Sequence, residues 1–137
     1  MNVARATALA FLFCNSGAAL AQDFDADLDQ GHGLFFTFCA TCHGDDATGG
    51  GPMTDVLKIT PPDLTGLKAR NDGIFPTARV AFRIDGRDPI PSHGGPMPLF
   101  GQLFEGDSVM VESETGQPLL LARDIADVIA WLESVQE

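Results

Sequence analysis

A single, predominantly helical domain is predicted by three observations. The chain has 137 residues, room for one core. Two stretches near its ends carry apolar residues at helical spacing: Gly31, Leu34, Phe35 and Phe38 in the first, and Ile125, Val128, Ile129 and Leu132 in the second. Few other runs alternate in the period-two manner of strands.

The first 21 residues read as an export signal rather than as part of that core. Arg5 gives a thin positive start, Ala8 to Cys14 an apolar run, and Ala19-Leu20-Ala21 a small-x-small cleavage site. The run is shorter than the roughly 20 residues a membrane span needs, and Phe13 stands where a lipoprotein signal requires a small residue before Cys14. Cleavage is therefore expected before Gln22, leaving residues 22–137 as the mature domain in the periplasm. The net charge of −11 becomes −12 with the loss of Arg5. Such acidity disfavours nucleic acid and anionic lipid and favours a partner with a basic docking face; solubility alone would also account for it.

Residues 23–29 form an acidic lead-in, and a helix is expected from Gly31 to Cys42, with Asp27 or Asp29 placed to cap it. Gly31 and Gly33 each cost about 1 kcal/mol inside a helix, and close approach of a second helix would compensate. The stretch from Ala122 to Val135 supplies one, with Asp124, Asp127 and Glu133 off its apolar face and Trp131 placed against Gly31 and Phe35. Between these ends, residues 44–53 form a glycine-rich loop. Thr60-Pro61-Pro62-Asp63 is a proline-fixed turn expected to cap a short helix near Leu64. A further helix is expected from Pro76 to Arg83, followed by a constrained loop over residues 86–101 with four glycines and four prolines. Val109-Met110-Val111 and Leu119-Leu120-Leu121 flank a turn at residues 114–117, the pattern of a small hairpin.

The chemistry concentrates in Cys39-Ala40-Thr41-Cys42-His43, which holds both cysteines of the mature chain. Two thiols separated by two residues can add to the two vinyl groups of one haem, and the adjoining histidine then stands under the iron. A thioredoxin-like dithiol and half of a zinc site share the C-x-x-C spacing. The first wants strands alternating with helices. The second wants four ligands, whereas only His32 and His93 remain beyond the cluster.

The opposite face of a haem iron decides between carrier and catalyst. Candidates are Met53, Met97, Met110, His32 and His93. Met53 follows His43 too closely to wrap a haem edge, and core packing is the expectation for Met53 and Met110. Met97 lies between Pro96 and Pro98 in a pinned loop, where a soft, neutral thioether would favour reduced iron and close the site. His93 is its rival, and His32 is expected at the surface or haem edge.

On these residues the chain resembles the class I c-type cytochromes. Gly31 and Phe35, the haem motif followed by Gly44, Gly51-Pro52, Pro62-Asp63-Leu64-Thr65, Met97-Pro98 and a last helix with Trp131 occur in family order. The resemblance implies an all-α fold with crossed terminal helices around one covalently bound haem c. It further implies that the Pro52 carbonyl accepts a hydrogen bond from His43, and that Arg83 or Arg87 pairs with a haem propionate. Residues 108–121 exceed the family pattern. Phe35, Phe38, Leu99 and Phe100 are the expected apolar wall.

The function expected is that of a one-electron carrier between redox partners, not an enzyme, with any membrane contact made through a partner complex. One alternative is the electron-accepting subunit of a periplasmic dehydrogenase or oxidase complex, which stable co-purification would reveal. Another is a haem enzyme or sensor with an open iron site, which would bind carbon monoxide.

Overall fold

The computed structural model describes residues 24–87, 97–104 and 106–137. The expected signal, and residues 88–96 with His93, lie outside them. Helix α1 runs Leu28–Phe38 because Asp27 caps it: the Asp27 side chain accepts the Gln30 N–H at 2.9 Å. The chain breaks step at Cys39 and resumes as the single turn α2, Ala40–His43, so the expected helix over residues 31–42 is two pieces. Helix α3 spans Thr77–Asp85 and stops at Gly86, whose φ of 91° suits the left-handed C-terminal position. Helix α4, Arg123–Ser134, closes the chain.

Helices α1 and α4 cross at Gly31. A Cβ there would overlap the Asp127 carbonyl oxygen and lie 3.0 Å from the Trp131 Cβ. The absence of a side chain is what lets the two backbones touch. Trp131 packs on Phe35 with ring centroids 4.5 Å apart and stacks on exposed His32 at 5.0 Å. Phe35, Ile125, Val128, Ile129 and Leu132 are all buried at the centre. Each contributes about 1.5–3 kcal/mol relative to an exposed side chain. The expected compensation fails for Gly33, whose missing side chain faces open space.

Asp127, placed outside the apolar face by the sequence pattern, is buried instead. Its Oδ1 accepts the Asp27 N–H at 2.9 Å, so a residue of α4 steadies the cap of α1. Burial pushes this carboxyl above its ordinary pKa, partly offset by that N–H.

The all-α expectation needs one correction. Strands β1, Ser108–Glu112, and β2, Pro118–Ala122, pair antiparallel with Met110 opposite Leu120. The hairpin forms because alternate residues are apolar on one face: Leu119 and Leu121 enter the core, and Val109 and Val111 pack against it. Gly116, at φ 76°, turns the chain. The short helix expected near Leu64 appears only as one 3₁₀ turn, Ala69–Asn71, preceded by a turn in which Asp63 Oδ1 accepts both the N–H and the hydroxyl of Thr65. Among the described residues, no helix is long and apolar enough to cross a membrane.

The crossing makes a contrast testable by urea unfolding of the haem-loaded protein. Gly31→Ala forces two backbones apart and is expected to cost about 1–3 kcal/mol. Gly33→Ala meets nothing and is expected to be neutral or stabilising, by up to about 1 kcal/mol.

Candidate functional site

The end of α1 delivers Cys39, and α2 places Cys42 and His43 on the next turn. Both thiols are free and half-buried, and His43 is buried. The loop that follows consumes the carbonyls of this turn. Gly44 N–H donates to Ala40, Gly49 N–H to His43, Gly51 N–H to Cys42 and Met53 N–H to Thr41, at 2.8–3.2 Å. Gly51 is required there: a Cβ would overlap the Ala40 carbonyl oxygen and come within 2.6 Å of Thr41's.

This packing corrects the expected role of Pro52. Gly51 and Met53 on either side of it bind the backbone of the motif turn, and Pro52 itself is exposed. The imidazole is met by the later proline pair: His43 Nδ1 lies 3.3 Å from the Pro62 carbonyl oxygen. A carbonyl only accepts, so Nδ1 carries the proton and Nε2 keeps its lone pair for a metal.

Pro62 is held by contacts distant in sequence. Leu64 N–H donates to Ala47 at 2.7 Å. From the far end of the chain, Gln136 binds the Leu64 carbonyl at 2.9 Å and accepts the Lys68 N–H at 2.9 Å, while Glu137 N–H donates to Thr65. The Asp63–Thr65 turn was the local signal that could have pointed to Pro62.

Burial lowers the His43 pKa below 6.5, with the Pro62 carbonyl opposing, which favours the neutral, metal-binding imidazole. Burial and then neighbouring Cys42 push the Cys39 thiol up to about 11. An attacking redox dithiol needs the opposite shift.

Met97 is half-buried and packs against the core in a strap that rests on the end of α3. Phe100 N–H donates to the Ile84 carbonyl at 2.8 Å, and Gly101 lies against the Asp85 carbonyl. Met53 and Met110, expected to pack in the core, are instead exposed, Met110 on the solvent face of the hairpin. Arg83 stands half-buried in the last turn of α3. Arg87 is engaged by Asp85, with Nε 2.5 Å from Oδ2.

Of the expected apolar wall, Phe35 belongs to the helix crossing and Leu99 is largely exposed. Phe38 and Phe100 instead join Phe104, which sequence reasoning missed: Phe38 meets Phe104 edge-on at 5.3 Å, and Phe100 stacks on Phe104 at 5.9 Å. The i, i+4 spacing of Phe100 and Phe104 was its signal, and the Phe104 N–H donates to the Phe100 carbonyl as in a helical turn.

The donor set fits a covalently attached haem: two free thiols on one helical turn, a buried neutral imidazole with one nitrogen already engaged, and aromatic rings on the residues flanking both cysteine and strap. Thr54, in the turn next to Met53, buries its Oγ1 without a partner among the described residues, a demand that a polar group of a bound ligand would meet.

Fold and site together define a c-type haem protein. The cytochrome c family model matches residues 28–136, and the chain belongs to the cytochrome c family. No curated protein and no solved structure matches it. Membership brings with it covalently bound haem c and a haem-based role in electron transfer.

Gly51→Ala is expected to push the loop off the motif turn and cost about 1–3 kcal/mol of stability. The holoprotein should show a lower unfolding midpoint and a lower ratio of haem to protein absorbance than the unmodified chain.

Proposed function

We propose that this cytochrome carries one haem and shuttles single electrons between redox partners in the periplasm, with Cys39 and Cys42 as the thioether links and His43 and Met97 as axial ligands. The observation that carries the reading is the His43 imidazole, buried, neutral and oriented by the Pro62 carbonyl. The half-buried Met97, on a strap hydrogen-bonded to α3, supports a closed carrier over an open catalytic or sensing site. Bound haem c supplies the one-electron ferric–ferrous couple.

The chain's own residues do the rest. The Pro62 carbonyl keeps the proton on Nδ1 and strengthens Nε2 as a donor. Met97 would close the other face with a neutral thioether that favours the reduced state. Phe38, Phe100 and Phe104 offer apolar ring surface that a bound haem would cover, lowering the local dielectric. Arg83 is the proposed partner of a propionate, for which its fork of donors is suited; loss of propionate pairing in Arg83→Gln should register as a shifted midpoint potential.

The first test is absorption spectroscopy of the oxidised and reduced protein. A covalent c-type spectrum with a weak sulfur-to-iron charge-transfer band is expected, and Met97→Ala should abolish the band and admit carbon monoxide to the reduced form. A haem spectrum without the band in the unmodified protein would move the ligand assignment elsewhere and reopen catalysis or sensing.

The proposed partners present basic docking faces to a chain of net charge −11. The second-order rate of reduction by such a partner is expected to fall steeply as ionic strength rises from about 0.01 M to about 0.1 M, where the screening length shrinks from about 30 Å to about 10 Å. A flat salt profile would remove charge from the docking scheme.

A further inference from the structure

Polar contacts of the hairpin β1–β2 converge on one element, helix α3. Helix α3 begins at Thr77, and Pro76 before it offers no side-chain cap. Its free N–H at Ala78 is bound instead by Glu114 Oε2 at 2.9 Å, from the hairpin turn 36 residues downstream. This places a carboxylate at the positive end of the helix.

At the other end, Arg87 ties α3 to β2. Its Nη2 donates to the Leu120 carbonyl at 3.2 Å, its Nε and N–H bind the Asp85 carboxylate, and its guanidinium lies 5.2 Å over the Phe82 ring. The last turn of α3 is also the seat of the methionine strap. Phe100 N–H binds the Ile84 carbonyl, Gly101 abuts Asp85, and Leu99 lies against Gly86. Arg87 therefore joins hairpin and helix at the residues on which the strap rests.

We propose that the hairpin is a clamp for the methionine strap: Glu114 and Arg87 hold α3 at its two ends and so fix where Met97 stands. Both are positioning residues, acting on the strap through α3. The proposal rests on the reading of Met97 as an axial ligand. It gives the hairpin a role in the strength of that ligation, beyond its share in the core.

The test uses ferric holoprotein and imidazole, an external ligand that binds iron only where the strap has opened. Apparent affinity then scales with the open fraction. Glu114→Gln and Arg87→Gln are each expected to tighten imidazole binding about two- to fivefold, the range of one exposed charged contact. Arg87→Lys, which retains the charge beside Asp85, should lie closer to the unmodified protein.

Urea midpoints measured on the same samples separate a structural role. Unchanged imidazole affinity with a lowered midpoint, or with no change at all, overturns the clamp while leaving Met97 as ligand. An unmodified protein that lacks the sulfur-to-iron band, and whose imidazole affinity does not respond to Met97→Ala, overturns the ligand reading and the clamp with it.

Discussion

The backbone contact at Gly31 is the constraint on which the positions of the other elements depend. With no side chain at that point, α1 and α4 approach until the Asp127 carbonyl touches the Gly31 backbone, and Trp131 closes over Phe35. Cys39 immediately follows α1, so the angle of the crossing aims the motif turn. The other end of α4 leads directly into Gln136 and Glu137, which bind residues 64–68 and thereby hold Pro62 near His43. One close approach thus sets both the Cys39–His43 turn and the carbonyl that meets its histidine.

The motif turn is built so that backbone and side chain are served by different segments. The loop over residues 44–53 satisfies the carbonyls that a one-turn helix leaves free, which is why glycines gather there. The imidazole is left to the Pro61-Pro62 segment, reached through another 19 residues of chain from His43. Burial lowers the His43 pKa and so favours the neutral imidazole, and both thiols are half-buried. A dithiol enzyme would place its cysteine in an electropositive setting; here Cys39 is shifted the other way.

Helix α3 ties the strap of residues 97–104 to the core. Its core-facing residues Ala81 and Ile84 join the buried cluster, and its C-terminal carbonyls receive the strap that carries Met97. The inward face of the hairpin adds Leu119 and Leu121 to the same core. A short sheet and a short helix, each too small to be stable alone, become rigid through packing rather than through local propensity.

What the sequence determined by itself was whatever rests on spacing or on chemistry carried by adjacent residues. The two terminal helices follow from apolar offsets of three and four, the hairpin from period-two alternation, and the candidate haem motif from five consecutive residues. The tight fit of Trp131 against Gly31 was readable too, because a glycine inside an apolar helix asks for a close neighbour. The tertiary structure decided what depends on separation in space: Pro62 rather than Pro52 beside His43, Asp127 buried, Met53 and Met110 exposed, and Phe104 in the aromatic cluster. The physical reason is common to these cases. A proline carbonyl, an aspartate or a methionine carries no local mark of its partner, which is chosen by how the helices cross and where the intervening loops spend their hydrogen bonds.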